Sequence, residues 1–170
     1  MDEPRSFGLV GPPPRPGARP GLTVIRPALL VGEYPTPEDA AWLREEHGVT
    51  AVVSLQDDAD LASKGLRLRH LERSYRRYEL GFHRIPVPDG DAAHLAARLD
   101  EAVALLGRLT DEGHRVYLHC NAGFNRAPTV AIAYLHVREG LSLEAARDAV
   151  KQLRHCVPYM RALEAHFARR

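Results

Sequence analysis

Cysteine is scarce in this 170-residue chain, with one at position 120 and one at position 156. Two lone cysteines exclude a disulfide framework and a CxxC metal pair, so reduced thiols in a cytoplasm are the simpler expectation. Excess charge is also lacking. A net charge of +1 leaves no broad basic field for DNA or an anionic membrane surface, and any anion must be gripped locally. No apolar run is long enough to span a bilayer, and the opening Met-Asp-Glu-Pro lacks the apolar core of a signal peptide. The nine histidines fall without metal-ligand spacing, and adjacent His119 and Cys120 could not readily share one zinc. No metal, no cofactor and no internal repeat are expected, and the chain is expected to be a monomer.

What is present describes an ordinary globular protein, 45% hydrophobic and 26% charged, of a length that suits one domain. Residues 1–21 include GPPPRPGARPG and read as a disordered Pro/Gly/Arg-rich tail, leaving a folded domain over 22–170. LTVIRPALLVGEY predicts two short strands broken at Pro27. In TPEDAAWLREEHG, Thr36 is the expected N-cap, Pro37 the first helical residue and Gly48 the stop. VTAVVSLQ reads as a buried strand, the stretch from Leu61 to Gly81 as helix and loop, and FHRIPVP as a strand ending at prolines. DAAHLAARLDEAVALLGRL has helical spacing with Asp91 as its cap. The strand RVYLHC follows, with helices near 127–139, 142–154 and 159–169. Strands alternating with long helices predict an α/β fold, a central and mostly parallel sheet flanked by helices on both faces. Trp42 is expected to pack against the body.

The chemistry concentrates in YLHCNAGFNRAPTV, residues 117–130. Ligands of open α/β sheets bind beyond the carboxyl ends of strands, and Cys120 falls at that point. The loop after it leads into a helix, so its backbone N–H groups and the positive end of the helix dipole can converge on an anion. Gly123 allows an unusual dihedral or a close approach. Thiols at helix N-termini ionise readily and become nucleophiles. Arg126 carries a planar fork of donors that matches two phosphate oxygens. These parts together point to phosphoryl transfer.

His119-Cys120-Asn121-Ala122-Gly123-Phe124-Asn125-Arg126 resembles the HC-x5-R signature of cysteine-dependent protein tyrosine and dual-specificity phosphatases, and with it a protein tyrosine phosphatase-like fold is implied. The resemblance implies that Cys120 attacks phosphorus to give a phosphocysteine. It implies that Arg126 and the amides of residues 121–126 hold the phosphate oxygens, while His119 orients the loop. The family usually places Ser or Thr after the arginine, where this chain has Ala127. The leaving oxygen needs a proton. In IPVPDGDAAHL, about thirty residues upstream of the cysteine, Asp89 is the preferred acid and Asp91 the alternative, since Asp91 is also the expected helix cap.

A wider stretch, residues 28–167, is similar to plant phosphoglucan (starch) phosphatases and to laforin, which implies a phosphorylated protein or a phosphoglucan as substrate. GFNR also resembles the loop of metal-independent RNA 5′-triphosphatases, a third option. An inactive fold that only binds a phosphorylated ligand is the non-enzymatic alternative. In RSYRRY, Tyr75, Arg76 and Tyr78, with Arg73 and Arg77, either line the substrate cleft or form a solvated helix face with aromatic anchors. Cys156 is expected to be a buried thiol, since a disulfide with Cys120 would require the two to be close.

Overall fold

The computed structural model describes residues 18–169. The segment 1–17, where most of the expected tail falls, lies outside the described residues. The described residues that lead into the first strand are docked on the body. Arg19 pairs with buried Asp39 at 2.9 Å and lies over the Trp42 ring at 5.6 Å, and the Gly21 carbonyl accepts from the Glu33 amide at 2.9 Å.

Five strands form one sheet in the order β1-β2-β5-β3-β4: β1 Leu22–Arg26, β2 Leu29–Gly32, β3 Ala51–Ser54, β4 Gly81–Arg84 and β5 Val116–His119. Strands β2, β5, β3 and β4 run parallel, and β1 is the antiparallel edge. The turn at Pro27 that joins β1 to β2 is where the two expected strands were divided. Pro86 and Pro88 stop the β4 ladder early, although the Ile85 and Val87 amides still donate to the Ser54 and Leu55 carbonyls at 2.9 and 3.0 Å.

Alternation along the three central strands builds two cores. Leu29, Val31, Ala51, Val53, Val116 and Leu118 face one side, and Leu30, Val52 and Tyr117 face the other. Burial on both faces explains why these strands read as continuous apolar runs. The first face is covered by α4 (Ala92–Asp111), α5 (Arg126–Glu139), α6 (Leu143–Leu153) and α7 (Met160–Ala168). The second is covered by α1 (Ala40–Glu45) and α3 (Leu68–Arg77), with Leu61 of the short α2 (Asp58–Ser63). The ambiguous stretch from Leu61 to Gly81 thus resolves into helices interrupted at Gly65.

Local signals set the helix boundaries. Pro37–Asp39 makes a 3₁₀ turn ahead of α1, and the Asp39 carboxylate accepts the Thr36 amide at 2.8 Å. Asp91 caps α4 by accepting the His94 amide at 2.9 Å, and Ser142 caps α6 at Ala145 at 3.0 Å. Gly140, with φ of 72°, ends α5. Among the described residues no helix is long and apolar enough to cross a membrane.

Candidate active site

Strand β5 ends at His119, and α5 begins at Arg126, so residues 120–125 form the connecting loop at the carboxyl edge of the sheet. In a trans peptide the carbonyl and the N–H that follows it lie in one plane and point in opposite directions. Where the carbonyls go therefore decides where the amides go. All six carbonyls of this loop are bound by protein donors. His119 Nδ1–H donates to the Cys120 carbonyl at 3.0 Å, and the Tyr34 amide to that of Asn121 at 2.9 Å. Arg154 donates to Ala122 and Gly123 at 3.1 and 2.7 Å. The Val157 amide takes Phe124 at 2.8 Å, and Thr129 takes Asn125 through its hydroxyl at 2.7 Å and its amide at 3.1 Å. Among the described residues, the loop amides from Asn121 to Arg126 find no protein acceptor. Free donors grouped in this way are a ready anion cradle.

Gly123 makes the path possible. Its φ is +62°, and a Cβ there would stand 2.6 Å from the Gly32 carbonyl oxygen and 2.5 Å from the Arg154 guanidinium. Cys120, only 2% exposed, forms the floor, and its sulfur accepts the Ala127 amide at 3.4 Å. The rim residues Asn121, Ala122 and Asn125 are half-buried.

Arg126 is buried, and its donors divide cleanly. Nη1 donates to Asp60 Oδ2 and to the Val87 carbonyl, both at 2.7 Å. Nη2 lies 3.4 Å from Asp89 Oδ1, and Nε has no partner among the described residues. Nε and Nη2 share one edge of the guanidinium, the edge that grips two oxygens of a phosphate. Burial opposes the arginine's charge, but Cys120, Asp60 and Asp89 outweigh it and its pKa is raised. Leaving Nε unbonded in a buried site is costly unless a ligand takes it.

Asp60 was not singled out from sequence. It binds Arg126 through Oδ2 and the Asn121 side chain through Oδ1 at 2.8 Å, and Asn121 in turn accepts from Gln56 at 2.8 Å. Burial pushes the Asp60 pKa up, yet Arg126, the Asp57 amide and Asn121 together hold it below the usual carboxylate range. Its only local sign was the DDAD run, which also reads as a capping box, and the structure uses it as both.

His119 is buried. Desolvation pushes its pKa down to about 4, so at neutral pH it is an uncharged hydrogen-bond donor to the loop. Asp89 sits on the rim with its side chain 46% exposed, facing Arg126, whereas Asp91 is occupied as the α4 cap. Thr129 binds Asn125 and accepts the Tyr159 amide at 2.8 Å, so its hydroxyl has other work. Burial raises the Cys156 pKa; both thiols are free.

The reading of RSYRRY as a cleft wall is corrected. Tyr75 is 1% exposed and packs against Phe82 at 4.9 Å within the second core. Helix α3 leads directly into the start of β4, so Arg76 and Tyr78 lie at the amino edge of the parallel sheet, while the phosphate loop lies at its carboxyl edge. Arg73, Arg77 and Tyr78 line a separate groove of about 470 Å³ with Pro37 and His70.

Residues 30–166 match the model of the dual specificity phosphatase catalytic domain. The chain belongs to the dual-specificity phosphatase family. That family is one of phosphatase enzymes, and the central sheet flanked by helices is of the matching fold. It is 34% identical over 144 residues to the amyloplastic phosphoglucan phosphatase DSP4 of Castanea sativa, covering 83% of this chain and 38% of that one. To human dual specificity protein phosphatase 2 it is 30% identical, over 79% of this chain and 38% of the relative. The chain thus spans less than two fifths of the length of these relatives. Among solved structures, the active form of Tk-PTP superimposes with a TM-score of 0.75 at 24% identity, over 88% of this chain and 97% of that one, a likeness of fold.

Proposed function

We propose that this phosphatase hydrolyses phosphomonoesters of protein side chains without a metal, through a phosphocysteine on Cys120. The observation that carries the reading is the ring of unpaired loop amides, closed by the Nε–Nη2 edge of Arg126, whose Nε is unbonded, above a single sulfur. In the first step the Cys120 thiolate attacks phosphorus in line. The S–P bond forms as the P–O bond to the leaving group breaks, and Asp89 protonates the departing oxygen. In the second step Asp89 takes a proton from water, whose oxygen attacks phosphorus. The S–P bond breaks and inorganic phosphate leaves. The amides and Arg126 stay in place throughout, stabilising the charge on the equatorial oxygens. Where the family usually supplies a hydroxyl, the Ala127 N–H donates to the departing thiolate.

Asp89 supports the role of acid by its place on the rim beside Arg126. A phosphoglucan is the second reading, favoured by the 34% identity to a phosphoglucan phosphatase.

The test is turnover of a generic aryl phosphate in the presence of EDTA, with Cys120→Ser as control. Activity should survive the chelator and vanish in the variant, which should still bind phosphate. Turnover by Cys120→Ser would overturn the mechanism. Rates on phosphopeptides, solubilised phosphoglucan and triphosphate-ended RNA in one buffer then rank the substrates.

A further inference from the structure

Two of the six loop carbonyls are held by one side chain. We propose that Arg154 is a positioning residue for phosphate binding, clamping the back of the loop, with Thr23 on β1 as its anchor. This inference rests on the reading of residues 120–126 as a phosphate cradle.

The geometry uses all three guanidinium nitrogens. Nη2 donates to the Ala122 carbonyl at 3.1 Å, Nε to the Gly123 carbonyl at 2.7 Å and Nη1 to Thr23 Oγ1 at 3.0 Å. Because each peptide is planar, drawing the Ala122 carbonyl outward turns the Gly123 amide inward, and drawing the Gly123 carbonyl outward turns the Phe124 amide inward. Arg154 thereby orients two phosphate-binding donors without reaching the phosphate. The two bonded carbonyls are adjacent, and a rigid fork can take both, whereas a lysine offers a single point charge. Gly123 fits this role, since a Cβ would stand 2.5 Å from Nη2 and displace the clamp.

Several features make the clamp reach. Arg154 is the C-cap just after α6 and adopts an extended backbone, with φ of −137°, as the chain leaves the helix. Three residues later the Val157 amide takes the Phe124 carbonyl, so one segment lines the back of the loop. Thr23 comes from the opposite end of the chain and lies on the edge strand, where its hydroxyl fixes the third corner of the guanidinium.

The experiment measures binding of inorganic phosphate by calorimetry in the Cys120→Ser background, and kcat and KM on an aryl phosphate in the active background. Arg154→Met is expected to weaken phosphate binding by about tenfold or more, the scale of one lost charged hydrogen bond, and to lower kcat/KM in parallel. Arg154→Lys should recover only part of this, and added guanidinium should partly restore the Met variant. Thr23→Val cuts the anchor while leaving the loop untouched. It should weaken phosphate binding by a smaller factor, and the double variant should be no worse than Arg154→Met alone. Phosphate affinity unchanged in a folded Arg154→Met, or additive effects of the two substitutions, would overturn the proposal. Should Arg154→Met fail to fold, Thr23→Val decides alone: weakened phosphate binding upholds the clamp, and unaltered binding removes it. If the parent Cys120→Ser protein binds no phosphate, the cradle reading itself fails, an outcome distinct from loss confined to the Arg154 and Thr23 variants.

Discussion

Asp60→Asn removes one negative charge from the pair that fixes Arg126 and leaves nearly everything else the same size. The two side chains are 1% and 7% exposed and meet at 2.7 Å, so this is a buried ion pair with little solvent screening. Breaking such a pair by removing one partner costs about 3–5 kcal/mol, because the other charge stays buried and uncompensated. The amide keeps one acceptor oxygen but turns two N–H groups into a site built from donors. Arg126 Nη1 would face one of them, or Asn121 would. The α2 cap is weakened as well, since Asp60 Oδ2 accepts the Asp57 amide at 3.0 Å, and a lost cap adds about 1 kcal/mol. Asp89 and Cys120 still face Arg126, which places the expected loss at the lower end, about 3 kcal/mol. Urea unfolding monitored by circular dichroism reads it as a lower midpoint with an unchanged slope. Added phosphate should recover part of the loss, because it binds only the folded protein. The reasoning fails if Asp60→Asn unfolds within about 1 kcal/mol of the parent and keeps its phosphate affinity, for the Val87 carbonyl and Asp89 would then suffice to hold Arg126.

Three further outcomes are expected. Asp89→Ala should lower kcat and remove one arm of the pH–rate profile, while an unchanged profile would move the acid role to Asp91 or to no residue. His119 in the folded protein titrates near 4 and in the unfolded chain near 6.5, so the unfolded state binds more protons between those values and stability falls as pH drops through them. The full loss, about 3 kcal/mol, should be absent in His119→Asn, which keeps a donor to Cys120 but does not titrate; equal pH slopes for the two proteins in unfolding titrations would refute the assignment. Gly123→Ala combines a left-handed backbone with a clash against the Gly32 carbonyl, so it should destabilise the protein by about 2 kcal/mol or more and abolish phosphate binding measured by calorimetry.

Most of the fold was legible because it is written locally. The central strands are apolar runs, Thr36 and Asp91 announce their helices, and Gly48 marks a stop. The loop from Cys120 to Arg126 was equally open to reading, since its chemistry needs only one strand, one glycine and one helix start. The groups that hold the loop were not. Asp60 lies 66 residues from Arg126, and Arg154 lies 31 from Gly123, with nothing in the sequence between to join them. RSYRRY left two readings open. Its composition suits a phosphate cleft, but a segment that runs straight into a parallel strand must lie at the edge where that strand begins. Burial of Tyr75 in the second core then gives the aromatic residue a purely packing role.

The donors that hold the loop carbonyls come from Tyr34 just after β2, from His119, from Thr129, and from Arg154 and Val157 near the other end of the chain. Nearly the whole domain must therefore be assembled before the last amide turns inward. Recovered turnover during renaturation should lag behind regained helix content, which makes the enzyme's own activity a clock for the final step of its folding.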